Sequence, residues 1–144
     1  MVVWSPFKFN CGQEVANRLA IAPLTTNASN EDGTASEGEL EFVRRRAANG
    51  FGAIISSAAY VEDDGRSWQG IGATHEGHVS SLGRLAEAMR ASRGLAILQI
   101  YDGGRIAKSE LIGEQRLRAA SAVPSLRPGS ATPRAMTAAE IEKL

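Results

Sequence analysis

The sequence has only one cysteine, Cys11, so the chain cannot form an internal disulfide bond. A protein without disulfides suits a reducing compartment, and we expect a cytoplasmic location. A lone cysteine can also be a reactive thiol, but no evident base lies near Cys11 in the sequence. We therefore interpret Cys11 as a small apolar residue.

An excess of charge of one sign is also missing. Sixteen Lys and Arg residues balance sixteen Asp and Glu residues, so no overall field would attract nucleic acid or an anionic membrane. The basic run Arg44–Arg46 leaves two interpretations open, a solvated helix face or a phosphate contact. No segment reaches the roughly 18 apolar residues that cross a bilayer, and the N-terminus does not resemble a signal peptide. We expect a soluble protein with neither a membrane nor a nucleic-acid partner.

The 144 residues are 43% hydrophobic and 22% charged, which is typical of one globular domain. Strand and helix patterns alternate along the chain. The predicted strands are a leading hairpin around Phe7, Phe9 and Val15, strands at 18–23 and 52–61, and a third strand from Leu95. The first predicted helix runs from a Ser36–Glu39 capping box to Asn49–Gly50. The second has the apolar face Val79, Leu82, Leu85, Ala86 and Met89 and ends near Gly94, and a third begins at a capping box of Thr137 and Glu140. Residues 27–35, 62–77 and 102–136 are predicted loops. This order favours a parallel sheet covered by helices.

The carboxyl ends of parallel strands meet at one edge of a sheet, where ligands bind in α/β folds. The segments Pro23–Thr26, Ser56–Ala59 and Gln99–Arg105 are predicted to converge there. They offer hydroxyl groups, one amide and several small residues, which suit a flat, polar, uncharged ring. Gln99 is expected to be buried, and a purely structural role for its amide stays open beside a ligand-binding one.

Several familiar catalytic patterns are absent from the sequence. We find no Ser-His-Asp order, no phosphate loop and no spacing typical of metal ligands. His75 and His78 stand three residues apart without an obvious third ligand. We expect surface or capping roles for both histidines and no metal site.

Four blocks of the sequence resemble the old yellow enzyme family of FMN-dependent oxidoreductases. They are "NRLAIAPLTTNAS" (17–29), "RRRAANGFGAIISSAAYVEDDGR" (44–66), "LQIYDGGR" (98–105) and "SAVPS…TPRAMTAAEI" (121–141). Their order and spacing match the family across nearly the whole chain. The resemblance implies an α/β fold, the N-terminal portion of a (β/α)8 TIM barrel, with about three β/α units after a leading hairpin. Residues 1–144 would form one partial barrel domain, apparently truncated inside the third barrel helix, since a complete barrel takes about 250 residues.

The resemblance also implies FMN at the carboxyl ends of the strands. Pro23, Leu24 and Thr25 would line the flavin ring, and Thr25 would tune the potential of the flavin as the one catalytic residue present. Ala58 would supply a backbone contact, and Gln99 would pair with the pyrimidine edge, with the neighbouring glycines keeping the rim open. The family's proton donor, its substrate-anion pair and its FMN phosphate site belong to later strands.

The sequence departs from the family at Asp102, where the family usually has histidine. One interpretation is an ion pair between Asp102 and Arg105.

Two functions are possible for the chain. The first is an FMN-dependent oxidoreductase that passes hydride from NADH or NADPH to an activated alkene or similar small-molecule acceptor. The alternative is a non-catalytic truncated half-barrel that self-associates and binds little flavin. The expected partners are another copy of the chain or a complementing C-terminal fragment.

Overall fold

The computed structural model describes residues 2–91 and 94–144. The α-helices of these residues are α1 (Glu37–Ala47), α2 (Val79–Met89), α3 (Ser109–Ile112) and α4 (Ala138–Ile141). Their strands are β1 (Phe7–Lys8), β2 (Glu14–Val15), β3 (Ala20–Ile21), β4 (Ala53–Ile55), β5 (Ala59–Tyr60), β6 (Leu95–Ile97), β7 (Ile100–Tyr101), β8 (Arg118–Ala119) and β9 (Arg134–Ala135). None of these helices has the length and apolarity that a membrane crossing requires.

The central sheet has the order β3-β4-β6, and β4 pairs in parallel with both neighbours. Parallel neighbours need a crossover connection, and α1 and α2 lie in the two crossovers. Beyond the sheet, β5 pairs in parallel with β7. The leading hairpin forms as well, because β1 pairs antiparallel with β2. The predicted alternation of strands and helices is confirmed.

The N-terminus of α1 lies where the sequence predicts it, but its cap differs. The Ser36 hydroxyl accepts a hydrogen bond from the Glu39 backbone N–H at 3.1 Å. The return bond from the Glu39 side chain to the Ser36 N–H does not form, because hydroxyl groups elsewhere in the fold occupy that carboxylate. The predicted capping box is therefore only half formed. The helix is followed by Gly50 at φ +79°, a left-handed conformation that favours glycine.

The hydrophobic core lies between the central sheet and the two long helices. Its buried members come from α1, β4, β5, α2 and the connecting loops: Ala35, Leu40, Val43, Ala47, Ile54, Ala59, Ile71, Leu85, Ala88 and Met89. The inward positions predicted for α1 are confirmed. On α2, Val79 is 58% exposed, contrary to the prediction. The preceding residue, His78, occupies the buried position at this end of the helix instead.

The strands are shorter than predicted. Segment 18–23 contains only the two residues of β3, and segment 52–61 divides into β4 and β5. The interruption at 56–58 arises because the Ser56 hydroxyl bonds to backbone atoms, accepting from Gln99 N–H and donating to Ser57 C=O. The predicted loop 102–136 contains α3 and the parallel pair β8–β9.

The end of the third strand and its continuation, residues 97–100, are exposed, whereas Leu95 and Ala96 are half-buried; the sequence predicts a buried strand throughout. Leu98 is 42% exposed and Ile100 is 62% exposed. Within residues 2–91 and 94–144, β6 pairs only with β4, so its other edge has no strand beside it. Apolar composition alone could not reveal that this strand is covered on one side only.

Two other predictions concern isolated side chains. Cys11 is exposed in the turn of the hairpin, so it does not act as a packed apolar residue. Arg44 and Arg45 bond to Glu41 at 2.9 and 2.8 Å on the outer surface of α1, which supports the solvated-face interpretation of the basic run.

The C-terminal helix α4 begins at a complete capping box, as predicted. The Thr137 hydroxyl accepts from the Glu140 N–H, and the Glu140 carboxylate accepts from the Thr137 N–H. Arg134 donates to both oxygens of the same carboxylate at 3.0 and 2.7 Å. The Arg134 bonds and the cap bonds together lower the pKa of Glu140 to about 2.

Asn17 anchors the first strand to the second at the bottom of the sheet. Its buried amide donates to the Gly50 carbonyl at 2.8 Å. Its carbonyl accepts from the Leu19 and Gly52 N–H groups, both at 3.0 Å. The bonds to Gly50 and Gly52 join the segment before β3 to the segment before β4 and so set the relative position of both strands, and the bond from Leu19 fixes the segment before β3 itself.

We predict that Asn17→Ala lowers the free energy of unfolding by about 2 kcal/mol, because buried backbone groups lose their partners. The measurement is urea denaturation followed by circular dichroism. Asn10→Ala, in the exposed hairpin turn, is the matched control and should change stability by less than about 0.5 kcal/mol. Equal effects of the two substitutions would show that Asn17 does not anchor the strands.

Candidate functional site

The three central strands run in the same direction, so their carboxyl ends lie at one edge of the sheet. In the register, Ile21 lies beside Ile54, and Ile55 lies beside Ile97. The segments that follow these strands begin at residues 22, 56 and 98. The fold therefore brings the predicted site segments to a common edge.

Hydrogen bonds between backbone and side chain fix the second and third of these segments to each other. Ser56 N–H donates to Ile97 C=O at 2.9 Å. Gln99 N–H donates to the Ser56 hydroxyl at 3.1 Å, and Gln99 C=O accepts from Ala59 N–H at 2.8 Å. The backbone of Gln99 is thus held on both sides by the second segment.

The side chain of Gln99 is solvent-exposed, so the prediction that it is buried is wrong. Gln99 lies between β6 and β7, and β6 is an edge strand of the central sheet. Thr25 is exposed as well, and neither the Gln99 amide nor the Thr25 hydroxyl has a hydrogen-bond partner among the described residues. Ala58 is 9% exposed, Pro23 is half-buried and Leu24 is 53% exposed.

Asp102 does not pair with Arg105, which is exposed. One carboxylate oxygen accepts from Gly104 N–H at 2.8 Å, and the other lies 3.6 Å from the Arg118 guanidinium. Arg118 also approaches Glu62 at 3.8 Å, and its side chain is only 15% exposed. Sequence reasoning missed Arg118, because it approaches Asp102 from β8, after an intervening loop. Asp102, at the position where the family usually has histidine, therefore belongs to a cluster of charged side chains with Arg118 and Glu62.

Gly65 and Gly103 allow two loops to pack closely, so Gly103 does not keep the rim open as expected, whereas a Cβ on Gly104 would meet nothing within 4 Å. A Cβ on Gly103 would lie 2.5 Å from the Gly65 carbonyl, and a Cβ on Gly65 would lie 3.2 Å from the Asp102 Cα. Gly103 N–H also donates to Gly65 C=O at 2.9 Å. The glycines are needed because the backbones of segments 63–67 and 102–104 touch.

The aromatic pair Trp68 and Tyr101, which sequence reasoning missed, packs in the same region. Their rings stack with centroids 4.4 Å apart and planes inclined by 7°. Burial raises the pKa of the Tyr101 phenol above its ordinary value. Alternating strand patterns contain no signal for such a contact between a loop and a strand.

The two histidines are structural. His75 accepts a hydrogen bond from Gly77 N–H at 3.1 Å and so caps a short helical turn, as predicted. His78 is 1% exposed, so the expectation of a surface role is wrong for this residue. Its Nδ1 accepts from Thr74 N–H at 3.3 Å, which leaves Nε2–H to donate to Asp32 C=O at 2.9 Å. In the described ranges, no three metal-ligating side chains come together.

A buried carboxylate lies behind the edge, and it is the principal feature that sequence reasoning missed. Glu39 is 1% exposed and accepts hydrogen bonds from the hydroxyl groups of Thr26, Ser29 and Ser57. The only local signal at this position was the expected capping box with Ser36. The three hydroxyl partners are separated from Glu39 by 10 to 18 residues and could not be inferred from local spacing.

The fold and the edge define a class of protein, namely an α/β protein with a ligand edge at the carboxyl ends of parallel strands. A sequence model of the NADH:flavin oxidoreductase / NADH oxidase family matches residues 3–144. The chain belongs to this family. The FMN-dependent oxidoreductase family that the sequence resembles is thereby confirmed.

The relatives are longer than this chain. It is 38% identical over 141 residues to the NADH:fumarate oxidoreductase of Klebsiella pneumoniae strain 342, and this region is 97% of the chain and 15% of the relative. It is 37% identical over 143 residues to the probable NADH-dependent flavin oxidoreductase YqiG of Bacillus subtilis strain 168, with 99% of the chain and 38% of the relative matched.

Among solved structures, the old yellow enzyme homologue from Zymomonas mobilis superposes on 99% of the chain with a TM-score of 0.85 and 25% sequence identity. The match covers 42% of that protein. The structure therefore corresponds to a part of an old yellow enzyme fold.

The residues at the edge fit a flavin ring by their chemistry. An uncharged ring with donors and acceptors along one side needs neutral polar partners and small neighbours. Thr25 and Gln99 have free polar groups, and Ala58 has the small side chain that allows close approach. Asp102 and Arg118 are mostly buried and contact each other, whereas Arg105, at the end of the third segment, is exposed.

We predict that Asp102→Ala lowers the free energy of unfolding by about 1–2 kcal/mol, because Arg118 loses one of its two carboxylate partners and Gly104 N–H loses its acceptor. Arg105→Ala should change it by less than about 0.5 kcal/mol. Urea denaturation measures both effects. The double variant D102A/R118A should lose less stability than the sum of the single variants, because each single variant removes the same Asp102–Arg118 contact. A larger effect of Arg105→Ala than of Asp102→Ala would contradict the assigned pair.

Proposed function

We propose that this chain forms the flavin-ring side of the active site in an FMN-dependent oxidoreductase of the old yellow enzyme type. The enzyme would take hydride from NADH or NADPH and deliver it to an activated alkene or a similar small-molecule acceptor. The observation that carries the proposal is the edge itself, where Thr25 and Gln99 keep free polar groups beside the small Ala58 in a chain of this family.

Each residue would have a distinct part in holding the ring. Pro23 and Leu24 offer apolar surface at the end of the first strand, and Leu24 is more than half exposed. Ala58 allows the ring to approach the backbone. Gln99 can donate and accept with one amide, which suits the pyrimidine edge of a flavin. Its backbone bonds to Ser56 and Ala59 would hold that amide in place.

Thr25 would contribute to reactivity rather than only to binding. When bound, FMN supplies the two-electron redox chemistry that these side chains lack. A hydroxyl group near the reactive part of the ring donates a hydrogen bond and so alters the potential at which the reaction proceeds. In this proposal the Thr25 hydroxyl, which has no protein partner among the described residues, provides that bond.

The acceptor class is supported by a relative. The Klebsiella pneumoniae protein is named for NADH and fumarate, and fumarate is an alkene activated by carboxylate groups. The chain spans only 15% of that protein, so the acceptor of the present protein is part of the proposal.

The alternative function, a non-catalytic half-barrel that self-associates, is favoured by one observation. Leu98, which follows β6, and Ile100, in β7, are exposed, and in the described part of the chain each of these strands has one edge without a neighbouring strand. Exposed apolar strand edges promote association. Gel filtration at several concentrations, with and without FMN, separates the two possibilities. Dimers that exclude FMN support the alternative, and flavin-bound protein supports the oxidoreductase.

We predict that the purified chain binds FMN and that Gln99→Ala weakens this binding about tenfold, the equivalent of one hydrogen bond worth about 1.4 kcal/mol. Titration of FMN fluorescence measures the dissociation constant. Cys11→Ala, in the exposed hairpin turn, is the control and should leave it unchanged. Equal affinity of both variants would remove Gln99 from the site, and no binding by the unchanged chain would contradict the proposal.

A further inference from the structure

The buried carboxylate of Glu39 joins two of the segments that form the edge. Its Oε1 accepts from the Thr26 hydroxyl at 2.8 Å and from the Ser57 hydroxyl at 2.9 Å. Its Oε2 accepts from the Ser29 hydroxyl at 2.7 Å. Thr26 and Ser29 follow the first central strand, whereas Ser57 follows the second. One side chain therefore holds both segments from α1.

The environment of Glu39 is unusual for a carboxylate. In the described ranges, no Lys, Arg or His forms an ion pair with it. A buried charge without a cation is costly unless hydrogen bonds satisfy it. Here three hydroxyl groups and the N-terminal end of α1 supply the compensation. This arrangement stabilises one relative position of the two segments, because the bonds form only when all three hydroxyls point at the same carboxylate.

Apart from the bond that the Gln69 amide donates to the Ser29 carbonyl at 2.8 Å, the segment after the first strand has few other attachments. No backbone–backbone hydrogen bond involves residues 24–28 within the described part of the chain. Its internal bond joins Ala28 N–H to the Thr26 hydroxyl at 3.4 Å, and Thr26 is itself fixed by Glu39. Without the carboxylate, the segment that contains Thr25 would lose its principal attachment to the body of the protein.

We propose that Glu39 is a positioning residue that sets the spacing between Thr25 and Ala58. These two residues, which would contact the flavin, are next in sequence to Thr26 and Ser57, the partners of Glu39. The effect of Glu39 on flavin binding rests on the proposed function. Its effect on the relative position of the two segments is a property of the chain alone. Glu39 does not touch the cofactor in this account. It acts through Thr26 and Ser57, each of which is next in sequence to a residue of the site.

Two substitutions of similar size separate hydrogen bonding from packing. In Glu39→Gln, the amide carbonyl can still accept from Thr26 and Ser57, and the amide NH2 can donate to Ser29. In Glu39→Leu, the volume is kept and all acceptors are lost. Val43→Ala, one turn further along the same buried face of α1, is the control for loss of stability without loss of these bonds.

The first readout is backbone 15N relaxation of the chain without FMN. In the unchanged chain, residues 24–28 should be rigid, with order parameters of about 0.8, and in Glu39→Leu these should fall below about 0.6. Glu39→Gln and Val43→Ala should resemble the unchanged chain. Rigid residues 24–28 in Glu39→Leu, or equal mobility in Glu39→Gln and Glu39→Leu, would overturn the proposal.

The second readout is the dissociation constant for FMN. We expect an increase of at least tenfold in Glu39→Leu and less than threefold in Glu39→Gln and Val43→Ala. An equal loss of affinity in Glu39→Leu and Val43→Ala would reduce Glu39 to a structural role and overturn the proposal. If the unchanged chain binds no FMN, the proposed function fails, whereas the relaxation data still decide whether Glu39 positions the two segments.

A third variant keeps the test decisive if Glu39→Leu does not fold. Thr26→Val removes one donor without changing the shape of the side chain or the carboxylate. It should mobilise residues 24–28 and leave residues 56–59 as they are, because the bond from Ser57 to Glu39 persists. Unchanged relaxation at 24–28 in Thr26→Val would contradict the proposal.

Discussion

The parallel pairing of β4 with both β3 and β6 is the constraint on which the rest of the structure depends. It fixes the direction of all three strands, and it therefore brings the segments after residues 21, 55 and 97 to one edge. The same pairing requires helical crossovers, whose apolar faces cover one side of the sheet. Asn17 secures the pairing at the opposite end, where its amide joins the starts of β3 and β4. The candidate site is thus a consequence of strand direction.

Two carboxylates near the edge have partners within the protein, whereas Arg105, at the end of the third segment, is exposed. Asp102 faces Arg118 and the backbone of Gly104, and Glu39 is surrounded by hydroxyl groups. The polar groups that remain free among the proposed site residues are a hydroxyl and an amide. Such groups can bind and orient an uncharged ring and adjust its electronics, but they provide no strong acid or base. The chemistry that this edge supports therefore depends on a bound cofactor.

Much of the fold could be predicted from local sequence, because it depends on short-range physics. Ser36 and Gly50 mark the ends of α1 through a cap and a left-handed turn, and the apolar spacing of α1 identifies its buried face. The identities of Pro23 to Thr25, Ala58 and Gln99 as residues of a common edge followed from the predicted parallel order. The family blocks then indicated which ligand such an edge holds.

The failed predictions involve contacts that local sequence does not contain. Gln99 and Ile100 have the composition of a buried strand, but their burial depends on whether another strand lies beside β6 and β7. Asp102 has Arg105 three residues away, yet its partner is Arg118, because the chain returns to the edge through β8. Glu39 has the position of a capping residue, but its carboxylate bonds to the loops that follow two neighbouring strands. In each case tertiary structure brings together groups that spacing keeps apart.

The most direct test of the account is a map of backbone amide chemical shifts of the 15N-labelled chain during titration with FMN. The account predicts saturable shifts concentrated at residues 24–26, 57–59 and 99, with smaller changes along the outer faces of α1 and α2. Shifts concentrated in the hairpin or in residues 105–131, or no shifts at FMN concentrations up to about 1 mM, the weak-binding end of the affinity scale, would contradict the claim that the carboxyl edge of the central sheet is the flavin site.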